Sequence, residues 1–441
     1  MNSHAGHILM SELSAPIHQN MSYRPEQTVW ELTMRCDQSC SHCGSRASDS
    51  RSDELSTAEL LEVAAALVDI GTRSVTLIGG EAYLHPGMYD VIEYFADRDI
   101  HIALQTGGRS VTERLARRLH DAGISAVGVS VDGPRDVHDI LRNNAGSYDY
   151  ALRAINAVAG LGIRCGVNTQ VNELNADRLS ELLTELRATK IETWRCHLTA
   201  PMGRAADRPE WILRPWRVVD VLDSLAEMQL ALITDGKANG VPLDQVIDIK
   251  LGANLGYYGP HEQVLRSRIG GSARHYSGCS AGTSTLGIES DGTIKACPSL
   301  PTEPYQVGNV RDADLRELWK SSPDLGFARE SRVEELWGFC STCDFKDLCQ
   351  GGCSFMTHTT FGRRGNNPFC YHRVTQLKKR GVRENIVQTV QAEGLPYDFG
   401  LFEIVEEAWD DDWREEPDRG LRSARSKPVP VEISNHRKSA A

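Results

Sequence analysis

Three cysteines, Cys36, Cys40 and Cys43, share one short loop with the spacing C-x3-C-x2-C. Thiolates this close can hold three irons of a [4Fe–4S] cube and leave the fourth iron open to bind and reduce a ligand. A larger set follows: Cys279-x17-Cys297, then Cys340-x2-Cys343-x5-Cys349-x3-Cys353, then Cys370. Seven thiolates suffice for two further clusters, one with four protein ligands and one with three. The competing reading is zinc. Three Cys with no fourth Cys or His at the usual pairing distance disfavour a structural zinc site, and His42, between the ligands, reads as a packing residue. Cys165 and Cys196 are left over, and in strands they read as small buried hydrophobes.

These loops need a frame. From Thr28 to about Thr234, β-branched runs alternate with amphipathic ones. The spacing predicts strands at Thr28–Met34, Ser74–Ile78, Ile100–Leu104, Ala126–Val131, Arg164–Gln170 and Glu192–Leu198. Helices are predicted at Thr57–Ile70, Gly87–Ala96, Thr112–Ala122, Tyr148–Leu161, Ala176–Ala188 and Pro215–Ile233. Ser56 with Glu59 forms a capping-box signature before the first helix. Six β/α units, with no sign of two more, give an α/β fold: a partial (β/α)6 barrel spanning 28–234. Active sites of α/β barrels lie at the C-terminal ends of the strands, and the cysteine loop and Gly79-Gly80-Glu81 fall there. A Gly-rich connector (235–275) leads to a small cysteine-rich domain (276–375). Residues 1–27 read as a flexible N-terminus, with Met21 an alternative start. Residues 376–441 read as a helical and partly disordered acidic tail carrying Glu403, Glu406, Glu407, Asp410, Asp411, Asp412, Glu415 and Glu416.

Composition bounds the function. A chain of 441 residues, 40% hydrophobic and 24% charged, is long enough for two or three packed domains. No apolar run of about 18 residues suggests a membrane span, and the N-terminus lacks a signal-peptide pattern. Clustered cysteines without a secretory signal favour metal over disulfides, in the cytoplasm. The net charge of -12 argues against nucleic acid as the main partner.

The cysteine loop, the Gly79-Gly80-Glu81 motif and the seven-cysteine array together resemble those of radical SAM enzymes with a C-terminal SPASM domain, over residues 28–372. The resemblance implies S-adenosylmethionine on the open iron of the Cys36/Cys40/Cys43 cluster and reductive cleavage to a 5′-deoxyadenosyl radical. It implies that Gly79, Gly80 and Glu81 hold the methionine amino group, and that Gln105, Ser130, Asp132 and Asn168 line the cofactor. Arg142 and Arg204 are further polar candidates, and Arg204 lies in a stretch resembling the family's sixth-strand region. In place of the family's usual proline after the glycine–glycine–acid motif, this chain has Ala82. Gly292 lies five residues before Cys297, as the family pattern requires. By the same resemblance Cys279, Cys297 and Cys353 ligate one auxiliary [4Fe–4S] cluster, and Cys340, Cys343, Cys349 and Cys370 a second. The first of these lacks a fourth ligand in the sequence.

Such enzymes generally modify peptides or protein side chains. The expectation is a maturase of a ribosomally made peptide that forms a crosslink or another oxidative modification, served by a reductant such as flavodoxin or ferredoxin. Only about 27 residues precede the barrel, so leader recognition is expected from a separate leader-binding protein or another surface. The alternatives are a dehydrogenase or epimerase of a small molecule, a formylglycine maturase of sulfatases, and a non-enzymatic electron carrier. Pro298 and Ser299 follow Cys297 where the sulfatase branch usually has Asp, which argues against that branch. A carrier would not need the strand-end motifs. No general base stands out. Tyr257, Tyr258, His261 and His275 of the connector read as surface or packing residues.

Overall fold

The computed structural model describes residues 23–330 and 333–409. Seven parallel strands follow one another through the first half of the chain: β1 (Gln27–Glu31), β2 (Ser74–Ile78), β3 (His101–Thr106), β4 (Ala126–Ser130), β5 (Arg164–Val171), β6 (Thr193–Leu198) and β7 (Asp248–Leu251). Between them run α1 (Thr57–Asp69), α2 (Met88–Ala96), α3 (Glu113–Asp121), α4 (Arg135–Arg142), α5 (Ser147–Gly160), α6 (Leu179–Leu186) and α7 (Val218–Ala238). Each strand buries one face against the helices. In β6, Trp194, Cys196 and Leu198 are buried, and the Trp194 indole donates to Thr169 Oγ1 at 2.9 Å. The alternate residues face the lumen, the period of two expected of a strand. The capping box forms as the spacing predicts: Ser56 Oγ accepts from the Glu59 amide, and Glu59 accepts from the Ser56 amide. The short helix α4, between Gly133 and Asn143, was not among the predicted helices.

Two strands extend the barrel beyond six units. β7 comes from the Gly-rich connector and pairs with β6. On the other flank β8 (Thr285–Ile288), from within the cysteine array, pairs in parallel with β1. β9 (Thr293–Lys295) and β10 (Gln306–Asn309) continue antiparallel, giving the order β10-β9-β8-β1-β2-β3-β4-β5-β6-β7. The order is open: β10 and β7 are its two ends.

The tail departs from expectation. A helix, Tyr371–Lys379, is followed by an antiparallel hairpin of β11 (Val382–Val390) and β12 (Leu401–Ala408) rather than by a second helix. Glu403, Glu406 and Glu407 lie on β12, which buries Phe402 and leaves its carboxylates exposed. Their spacing in a charged stretch hid the strand. The hairpin is anchored by a buried pair, Arg373 Nε to Glu384 Oε2 at 2.7 Å, and by the Trp216 indole donating to Asn385 Oδ1 at 3.0 Å. Asp410, Asp411, Asp412, Glu415, Glu416 and residues 1–22 lie outside the described residues. Tyr23, in the expected flexible stretch, donates its hydroxyl to Arg329 O at 2.9 Å.

Candidate active site at the strand ends and in the cysteine array

The cysteine loop leaves β1 and is braced from several sides. Cys36 N donates to Ser48 O at 2.8 Å. Arg204, flagged in the sequence, donates from Nε to Cys40 O at 2.7 Å and from its backbone N to Cys43 O at 2.9 Å. Gly79 and Gly80 prove to be contact residues of this loop. A Cβ at Gly79 would lie 2.4 Å from Thr33 O, and one at Gly80 would lie 2.2 Å from Arg35 O. Only glycine permits that approach. The Gly80 and Glu81 amides donate to those same carbonyls at 2.8 Å, so the motif seats the backbone that leads into Cys36.

Glu81 is buried, and both of its oxygens are taken. Thr106 Oγ1 donates to Oε2 and the Gly107 amide to Oε1, each at 2.7 Å. Burial pushes its carboxyl up to about 8. Its side chain therefore ties the end of β2 to the end of β3.

Asp132 is the hub of a second buried network. Oδ2 lies 2.6 Å from Arg142 Nη2 and 3.2 Å from His42 Nε2, while the Gln170 amide donates to Oδ1 at 2.9 Å. Burial opposes the charge, but Arg142 and then His42 hold the carboxyl well below the usual range. These contacts tie Asp132 to α4 and to the cysteine loop. Arg142 Nη1 also donates to Cys40 Sγ at 3.6 Å. His42 Nδ1 meets Leu141 O at 2.9 Å.

Gln105, Ser130 and Asn168 line the lumen, and the Asn168 amide donates to Gln105 Oε1. Sequence reasoning missed two features here. One is Arg195, on the lumen face of β6; its alternation with Trp194 and Cys196 was a usable signal. The other is Asp398, with no local signal at all: its Oδ1 accepts from Arg46 Nε at 2.7 Å, 352 residues apart, and its Oδ2 from Nη2 at 3.3 Å, while Asp207 accepts from Nη1 and Nη2. Nearby, Tyr397 donates to Glu31, and Gly203 N donates to Asp398 O at 2.7 Å.

The thiols fall into three groups. Burial pushes the Cys36 thiol up to about 12, with Glu81, Cys40 and Cys43 adding to the rise. Burial raises Cys353 and Cys297, and in each the neighbouring charge of Cys279 adds to it. Burial also raises Cys349, with Cys370, Cys340 and Cys343 adding to it. Those last four cysteines line one cavity with Tyr257, Tyr258 and His372. Among the described residues no three His, Cys, Asp or Glu side chains close around a single metal ion. Buried thiols that mutually oppose ionisation fit cationic iron, whose charge offsets the cost of forming thiolates. Cys165 and Cys196 are buried in β5 and β6, at 3% and 0% exposure.

Of the connector residues, Tyr257 is packed: its hydroxyl accepts from Cys353 N at 3.1 Å and donates to Ala253 O at 2.8 Å. Tyr258 stacks on Phe345 with ring centroids 4.3 Å apart. His261 lies 3.3 Å from Asp223.

Two family models match the chain: the radical SAM superfamily over residues 30–186 and the SPASM iron-sulfur cluster-binding domain over residues 279–344. The chain is a radical SAM enzyme with a SPASM domain, and its cofactors are S-adenosylmethionine, the radical SAM [4Fe–4S] cluster and auxiliary iron–sulfur clusters. It is similar to the AdoMet-dependent heme synthase of Methanosarcina barkeri, 27% identical over 359 residues, 80% of this chain and 98% of that protein. It is also similar to the mycofactocin maturase MftC of Mycobacterium tuberculosis, 27% identical over 329 residues, 74% of this chain and 77% of that protein. Its fold matches SuiB of Streptococcus suis, bound to S-adenosylmethionine, with a TM-score of 0.59 at 16% identity, over 82% of this chain and 79% of that one. No helix of the described residues is long and apolar enough to cross a membrane.

Proposed function

We propose that the protein is a maturase that takes a hydrogen atom from a ribosomally made peptide and leaves an oxidative side-chain modification or crosslink. Cys36, Cys40 and Cys43 would hold the radical SAM cluster. Cys279, Cys297 and Cys353 would hold one auxiliary cluster, and Cys340, Cys343, Cys349 and Cys370 the other. A cluster held there would supply, once reduced, the electron for reductive cleavage of S-adenosylmethionine. The protein's own residues do the rest. Gly79 and Gly80 seat the loop, Arg142 offsets charge at Cys40, and Gln105, Ser130 and Asn168 offer neutral hydrogen bonds to the cofactor. The lumen they line shields a reactive species from bulk water.

The observation that carries the peptide reading is the open sheet. With β7 and β10 as its ends the sheet does not close, and an extended chain would enter between them. Similarity to MftC, named as a maturase, supports it. A small-molecule substrate is the second reading, favoured by an alignment that covers 98% of the heme synthase. A flavodoxin or ferredoxin would supply electrons, and a separate protein would present any leader.

The test is anaerobic. The reconstituted protein is reduced, given S-adenosylmethionine, and assayed for 5′-deoxyadenosine, which Cys36→Ala should abolish. It is then offered, separately, a short peptide encoded beside its gene and an iron tetrapyrrole. A mass change in the peptide alone supports the maturase; a change in the tetrapyrrole alone overturns it.

A further inference from the structure

Arg195 stands in the barrel lumen without a counter-charge. The backbone register places Ser130 of β4, Asn168 of β5, Arg195 of β6 and Lys250 of β7 side by side, on one rung across four strands. Two of the other three side chains have partners on the rung or beside it. Lys250 Nζ lies 2.8 Å from Asp248 Oδ2 and 2.6 Å from Ser267 O. Asn168 donates to Gln105. For Arg195 no ion pair and no hydrogen bond occurs among the described residues.

The surroundings of Arg195 explain why this matters. Its side chain is exposed by area, since it borders the lumen. Yet protein walls it in closely enough that burial alone holds its guanidinium below the ordinary value, with no acidic group acting on it. Two residues on, burial and then the Arg195 charge lower His197 to about 4, so His197 is a neutral neighbour and not a counter-ion. A guanidinium without a protein partner keeps its donors free for an anion.

We propose that Arg195 is an anion-recognition residue that receives a carboxylate entering the lumen, with the neutral Asn168 and Ser130 beside it. The guanidinium fork matches a carboxylate with two parallel hydrogen bonds. A phosphate would favour a second free cation, and the neighbouring Lys250 is already paired. The inference rests on reading the lumen as the reaction chamber. Two carboxylates can reach it: that of the methionine moiety of S-adenosylmethionine, and one carried by the substrate.

The experiment uses the reconstituted holoprotein under anaerobic conditions. Arg195 is labelled with phenylglyoxal, an arginine reagent, and the rate is read by peptide mass spectrometry with and without S-adenosylmethionine and propionate. In parallel, the dissociation constant for S-adenosylmethionine is compared between wild type and Arg195→Gln. Labelling of the unliganded protein is expected, because the group is accessible and unpaired. If the cofactor's carboxylate is the ligand, Arg195→Gln weakens S-adenosylmethionine binding about tenfold, the worth of a charge-assisted hydrogen bond. If the substrate's carboxylate is the ligand, that constant is unchanged, and propionate slows labelling several-fold with S-adenosylmethionine already bound. An Arg195 that resists labelling in the free protein, or one that neither ligand affects, overturns the proposal. The wild-type labelling decides even if the variant fails to fold. Failure to form 5′-deoxyadenosine would count against the proposed function and leave the labelling result intact.

Discussion

The guanidinium of Arg142 lies 3.6 Å from the sulfur of Cys40 through one nitrogen and 2.6 Å from Asp132 through another. One side chain thus links the cysteine loop to the end of β4. Arg142→Gln leaves Asp132 as a buried carboxylate short of its main partner, and losing one member of a buried ion pair costs about 3–5 kcal/mol. The variant should unfold at lower urea and retain less iron. Adding Asp132→Asn should recover part of the loss, since the unpaired charge is then gone.

Gly80→Ala should strip the first cluster while sparing the barrel. The added methyl would sit 2.2 Å from Arg35 O. Overpacking of this kind typically costs about 1–3 kcal/mol, and here the backbone that yields leads directly to Cys36. Circular dichroism should stay close to wild type, while bound iron and 5′-deoxyadenosine formation fall. Unchanged iron would mean the glycines do not set the loop.

The grouping of thiols predicts an interleaved loss. Cys349→Ala and Cys353→Ala change residues only four apart, yet each should remove a different cluster, with a loss of about four irons apiece. The double variant should lose about eight. If the two single variants and the double variant all lost the same four, the crossed assignment would be wrong.

His138 gives a pH dependence. Its Nδ1 accepts the Asp132 amide at 3.0 Å, and its Nε2 faces Ser147 Oγ at 3.2 Å. Burial, followed by the Arg142 charge, lowers it to about 3. The folded-state value is depressed below the unfolded one, so the unfolded chain takes up the proton first as pH falls. Its contribution is present above about pH 6.5 and is lost as pH drops toward 3. His138→Gln should reduce the slope of stability against pH in that window by close to one proton, about 1.4 kcal/mol per pH unit. Urea titrations at several pH values would measure it.

Asp398→Ala should loosen the cysteine loop from a distance. Asp398 accepts from Arg46 at 2.7 Å and from the Gly394 amide at 2.6 Å. Losing hydrogen bonds to a charged group costs about 1.5–3 kcal/mol. Arg46→Ala should produce a similar loss of iron, and the double variant should show less than the sum of the two.

Much of this was legible because it is local. The strands β1 to β6 follow from β-branched runs between capped amphipathic helices, and the cysteine spacings carry the metal chemistry directly. What escaped was set by partners distant in sequence. β8 is a four-residue strand, Thr285–Ile288, that gains its place only by pairing with β1. The tie between Asp132 and Arg142 escaped because Arg142 lies on a helix the sequence did not announce. Gly79 and Gly80 also lie against Thr33 O and Arg35 O, a contact the motif alone does not announce. A residue type at a strand end says that close contact is needed there, and the partner is decided by the three-dimensional fold.

The bond between Arg46 and Asp398 also sets an order of events during synthesis. The cysteine loop leaves the ribosome early, but the residue that clamps it emerges 352 positions after Arg46, and Tyr397 emerges 366 positions after its partner Glu31. Contacts this remote in sequence form late. The nascent loop therefore passes through a long interval in which its thiols are translated but not yet held. Metal loading that waits for the full chain would find the loop fixed. Loading that does not would meet a loop free to move, so a ribosome stalled before residue 398 should yield a barrel with a poorly retained first cluster.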